Sequence, residues 1–123
     1  MNETENLLDL EFSLKDDYTS VCRGSEGEIS QLAFSSHKVK IFNSHIFSTE
    51  EIRSIVLYII DYAEKYGIKI SRSYKELCGE IILHKWLYKL HIKRAQTKDC
   101  DLDFTQDGRW YVNLLSKIIG FFL

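Results

Sequence analysis

There is no proline anywhere in the chain, and only six glycines are spread over its 123 residues. That composition excludes a loop-rich, collagen-like or low-complexity protein. Cysteine is scarce and odd in number: Cys22, Cys78 and Cys100. Three thiols cannot close a disulfide framework, and their spacing fits no zinc pattern. The expected setting is therefore a reducing compartment, with Cys78, among helical apolar residues, acting as a small hydrophobe. No sign of charge predominates, since 16 basic and 18 acidic side chains leave a net charge of -2. This removes the electrostatic case for nucleic-acid binding, which calls for a basic domain. No apolar run is long enough to span a bilayer. The opening Met-Asn-Glu-Thr-Glu-Asn lacks the basic start and apolar centre of a signal peptide. The expected location is the cytoplasm.

What the chain does have is core material. Apolar residues make up 45% and aromatics 13%, enough for one self-sufficient domain over residues 1–123. Period-two patterning comes first. Leu8, Leu10, Phe12 and Leu14 alternate with polar residues, as in a half-buried strand. Asp16-Asp17 reads as a turn, and Tyr18 to Cys22 as a further short strand. Arg23-Gly-Ser-Glu-Gly27 is the clearest loop. Ile29 to Phe34 and Lys38 to Phe42 read as two more strands, with Ser35-Ser36-His37 either a turn or a continuation between them.

Near Asn43-Ser44 the period changes to 3.6. Ser48 and Glu51 form a capping box, and Ile52, Ile55, Val56, Ile59, Tyr62 and Ala63 follow at helical spacing up to Gly67. This predicts a helix over 49–66. Ser73 and Glu76 open a second helix over 74–90, apolar nearly all round and so in need of neighbours on more than one side. A third is expected over 108–122, capped by Asp107 or Thr105, with Tyr111, Leu114, Leu115, Ile118 and Phe122 along one stripe. The fold class is α+β: a small N-terminal antiparallel sheet packed against three C-terminal helices, the second of them central.

Several groups can carry chemistry. Glu80 and His84 are four residues apart and share a helix face, as a general base or two metal ligands would; the plainer reading is an ion pair or a hydrogen bond. His91 falls on roughly the same face if the helix extends that far. Asp99, Asp101 and Asp103 alternate as in the opening of a calcium loop. Phe104 then stands where that loop needs glycine, and Trp110 where it needs a bidentate carboxylate, so calcium is excluded. The segment 95–107 reads as a solvated acidic loop, with Asp99, Asp101, Asp103 and Asp107 available to a basic partner. Alternatively, Asp101 or Asp103 joins Glu80 and His84 in a catalytic site. Lys85, Lys89, Lys93, Arg94 and Lys98 form a basic run better read as a solvated face that also complements the helix dipole. The apolar end, Ile118 to Leu123, packs inward or serves as an exposed anchor for a partner or for a second copy. No common enzyme signature is present, which leans the reading towards a binding protein. No cofactor or metal is called for.

The block Arg72-Ser-Tyr-Lys-Glu-Leu-x-Gly-Glu, the run Asp99-x-Asp-Leu-Asp and the aromatic C-terminal helix together resemble small bacterial immunity proteins of polymorphic-toxin and contact-dependent growth inhibition cassettes. The resemblance covers about the last half of the chain. It implies a cytoplasmic inhibitor that occludes one toxin domain through charge complementarity. The near-neutral charge departs from the acidity usual among such inhibitors, and no family site residue carries over. The function expected first is thus a protein-binding immunity or antitoxin-type module facing a basic toxin domain. The alternative is a small hydrolase or nuclease using Glu80 and His84 with an aspartate of the 99–103 loop, Asp101 first.

Overall fold

A computed structural model describes residues 19–106 and 110–122. The expected strand at Leu8–Leu14 and the expected cap Asp107 lie outside the described residues. The fold is α+β. Strands β1 (Thr19–Arg23), β2 (Ile29–Ser35), β3 (Lys38–Ile41) and β4 (Cys100–Asp103) form one sheet in the order β1-β2-β3-β4, each pair antiparallel. The helices are α1 (Thr49–Lys65), α2 (Tyr74–Lys89) and α3 (Trp110–Phe121). The β2–β3 connection is a tight turn with Ser36 in the left-handed region (φ 57°). That resolves the ambiguity at residues 35–37.

β4 corrects the reading of 95–107 as a solvated loop. Cys100 pairs with Ile41, Leu102 with Val39 and Asp103 with Lys38. Cys100, Leu102 and Phe104 point into the core while Asp101 points out. The alternation of strand residues thus accounts for the Asp-x-Asp-x-Asp pattern, since the acids occupy the outward positions and the residues between them are buried.

One face of the sheet carries Cys22, Leu32, Phe34, Val39, Ile41 and Leu102, all buried. α1 covers it with Ile52, Ile55, Val56, Ile59 and Ala63, and Phe34 stacks on Tyr62 at 3.9 Å between ring centroids. α1 starts in a complete capping box, with Ser48 Oγ accepting from the Glu51 N–H and the Glu51 carboxylate accepting from the Ser48 N–H at 2.8 Å. It stops at Gly67, where φ is +66° and the N–H groups of Gly67 and Ile68 return to the carbonyls of Glu64 and Ala63. That left-handed closure is why glycine stands there.

α2 packs against both other helices and against β4, as its wrapped apolar pattern requires. Its N-terminal half is buried through Leu77, Cys78, Ile81 and Ile82, whereas Trp86 and Leu90 emerge exposed. The helix ends at Lys89. His91 is exposed and left-handed (φ 53°), so it does not extend the Glu80–His84 face. α3 lies along α2. At Gly79 the backbones approach so closely that a Cβ would stand 2.1 Å from the Ser116 carbonyl oxygen, and at Gly120 one would stand 2.5 Å from that of Lys75.

Candidate functional site

A hollow lies between α2, the short turn Lys93–Ala95 and the start of β4. It is a cleft of about 200 Å³ with Glu80, His84, Thr97, Asp99 and Asp101 on its polar side and Leu83, Leu87, Ala95 and Cys100 as its apolar lining. Spacing on α2 brings Glu80 and His84 to one wall, one turn apart. The strand pairing of β4 brings Asp99 and Asp101 to the other. Of the residues of the alternative catalytic reading, Glu80, His84 and Asp101 therefore line one cleft, and Asp103 does not.

The neighbourhood assigns each of them a different state. Glu80 is held by Arg72, whose side chain is 1% exposed and donates to the Glu80 carboxylate at 2.5 Å and to the Asp103 carbonyl at 3.3 Å. The guanidinium Nε and its second amino nitrogen find no partner among the described atoms, so the carboxylate of Glu80 is the main group neutralising a buried cation. Burial lowers the pKa of His84, and the nearby charges of Asp101 and Asp99 oppose that shift without overcoming it. The imidazole is thus neutral near pH 7. Its Nδ1 is hydrogen-bonded to Ser44 Oγ at 3.2 Å. The Ser44 hydroxyl proton goes to the Lys98 carbonyl at 2.9 Å, so towards His84 that oxygen accepts.

The far wall is stitched down by the same segment. The Ser44 N–H donates to Lys98 O at 2.8 Å, and the Asn43 N–H donates to the Asp99 carboxylate at 3.3 Å. Thr97 Oγ1 donates to the Asp99 carbonyl at 3.2 Å. Asp101 remains the open acid, its side chain 75% exposed and 4.0 Å from Lys40.

Asp103 lies elsewhere and is spent locally. Its carboxylate accepts from the N–H and hydroxyl of Thr105 and from the Gln106 N–H, and it pairs with His37 at 3.3 Å. Burial raises its pKa, yet the Thr105 hydrogen bonds, His37 and Gln106 together hold the carboxyl below its ordinary value. Of the four acids expected to meet a partner together, Asp99 and Asp101 share the cleft and Asp103 does not.

Of the basic run, Lys85 is drawn inward, donating to the Phe47 carbonyl. The cysteines offer no nucleophile. Burial pushes the thiol of Cys22 up to about 12 and that of Cys78 up to about 11, and raises that of Cys100 further. Among the described residues no group of three His, Cys, Asp or Glu side chains is arranged to hold a metal ion. None of the helices in the described residues is long and apolar enough to cross a membrane.

Sequence reasoning had no means of finding Arg72 and Ser44 as partners of Glu80 and His84. Ser44 reaches His84 across 40 positions, and Arg72 shows its role only through its burial. Comparison of the chain with protein-family models, with curated proteins and with solved structures finds no match.

Proposed function

We propose that this chain is a protein-binding module, an immunity or antitoxin-type inhibitor in bacterial cytoplasm, and that its cleft receives a cationic side chain of the toxin it occludes. The observation that carries this reading is the convergence of Asp99 and Asp101 with Glu80 on one cleft with an apolar lining, in a chain otherwise near neutrality. A lysine or arginine stem fits against Leu83 and Leu87 while its charge meets Asp99 and Asp101. His84, kept neutral, adds no opposing charge. Locally concentrated acids steer association and select a basic face even when the whole molecule is barely charged.

The test is a titration followed by NMR, with arginine methylamide as probe and its neutral citrulline counterpart as control. Arginine methylamide is expected to shift the amides of Thr97, Asp99 and Asp101 with an affinity on the order of millimolar, as suits one side chain. The response disappears in Asp99→Asn/Asp101→Asn. Equal shifts from the citrulline compound, or from the double variant, would remove the cation from the account.

A second reading has its own support, because the neutral imidazole of His84 stands in the same cleft as Glu80 and Asp101. In a hydrolase or nuclease it would act as general base. The informative substitution is His84→Gln rather than Glu80→Gln, since Glu80 is committed to Arg72. A hydrolytic activity lost in His84→Gln with an unchanged melting temperature would favour this reading over the first.

A further inference from the structure

The apolar stripe of α3 does not face the core. Leu114, Leu115, Ile118, Phe121 and Phe122 are 51, 42, 48, 76 and 80% exposed, while Ser116 and Gly120 are buried. The helix is held in that orientation by its small residues. Only glycine at 79 lets the Ser116 backbone come in, and Gly120 meets the Lys75 carbonyl in the same way. Rolling the leucines and phenylalanines onto α2 would force bulky side chains into a gap that admits none. Ile119 is the stripe's neighbour that does reach the core. The outward residues recur at 114, 115, 118, 121 and 122, the three-four rhythm of a helix seam made to meet another helix.

We propose that this face is a self-association surface, on which a second copy of the chain lays its own α3 to give a two-fold symmetric pair. The inference stands apart from the cleft. Three observations select this occupant. First, Lys117 is the single charge across residues 110–122, so the face offers little to a charged partner, whereas an isologous pairing needs only apolar self-complementarity. Second, the surface offers a groove beside protruding rings, the knob and hole a second copy can exchange. Lys117, Ile118, Phe121 and Phe122 border a shallow groove, and the Phe121 and Phe122 rings stand edge to face at 5.4 Å beside it. Third, the area is sufficient. At roughly 150–200 Å² for each large apolar side chain, the five leave about 500 Å² uncovered on one copy, so a symmetric pair buries about 1,000 Å², the lower edge of specific interfaces. A lipid surface is the poorer occupant, because interfacial helices present a basic polar face to headgroups, and here Lys117 is the single basic residue across 110–122.

The test is sedimentation of the full chain from low micromolar to near-millimolar concentration, beside Leu115→Lys, Phe122→Lys and the control Leu57→Lys. Leu57 is a 53% exposed leucine on α1, away from this face. The wild-type mass is expected to rise from that of one 14.5 kDa chain towards twice that value. Each α3 variant should weaken the association at least tenfold, because the symmetry sets two lysines in one apolar seam, while Leu57→Lys associates as wild type does. Helical content by circular dichroism is expected to be the same in all four proteins. A wild type that stays monomeric throughout the range would overturn the proposal, as would dimers that survive both α3 substitutions. A monomer that floats with neutral phosphatidylcholine vesicles, and loses this with Phe122→Lys, would assign the face to lipid instead.

Discussion

At the scale of single residues, the cleft depends on an unequal ion pair. Arg72 is sealed off, its side chain 1% exposed, while Glu80 reaches water at 18%. Removing the carboxylate leaves a cation that cannot rehydrate; removing the guanidinium leaves an acid that can. Glu80→Gln is therefore expected to cost about 2–3 kcal/mol, somewhat less than the loss of one partner from a fully buried pair, and Arg72→Met about 1 kcal/mol or less. Thermal or urea denaturation of both variants checks the order. Equal losses, or a greater loss for Arg72→Met, would mean that the Arg72 pocket admits water. The side chains on α2 that face the cleft were legible in the sequence, because Glu80 and His84 follow from helical spacing alone. Their states were not. The neutrality of His84 comes from burial, and the commitment of Glu80 comes from an arginine eight residues earlier whose direction no periodicity reveals.

At the scale of elements, caps and rhythm placed the first two helices to within one residue, rhythm alone placed the third, and the β2–β3 hairpin followed from alternation. β4 was equally visible in Cys100, Leu102 and Phe104. The aspartates between them suggest chemistry because they are three acids in alternation, whereas strand geometry turns them outward. The direction of α3 was a different matter. Helical rhythm marks its stripe, but burial of the opposite face depends on glycine at 79, in another helix. This makes Gly79 a sharp test. Glycine to alanine inside a helix ordinarily adds about 1 kcal/mol of stability. Here the new Cβ meets a backbone carbonyl at 2.1 Å, so Gly79→Ala is expected to destabilise by about 2–3 kcal/mol, as overpacking does. Hydrogen exchange should show the α3 amides losing protection before those of α1. A gain in stability would show that α3 does not pack as described.

At the scale of the whole molecule, the central helix and a sheet edge some twenty residues further along the chain bring acids to one cleft, while the last helix turns a largely apolar face outward. The two surfaces differ in chemistry and so in the partners that suit them, a cationic target for one and a second copy for the other. Composition offers no electrostatic case for a nucleic-acid-binding domain, and three cysteines close no disulfide framework. It had no bearing on where the few unbalanced charges gather, since that depends on β4 pairing with β3 across some sixty residues. The central claim, that the cleft engages a basic protein, is tested most directly by affinity capture from the native cells, with the wild-type chain and Asp99→Asn/Asp101→Asn run in parallel at low and high salt. The account predicts one stoichiometric partner, held by the wild type at low salt, released at high salt and absent from the double variant. A partner held equally by both proteins and at both salt concentrations, or no partner at all, would contradict it.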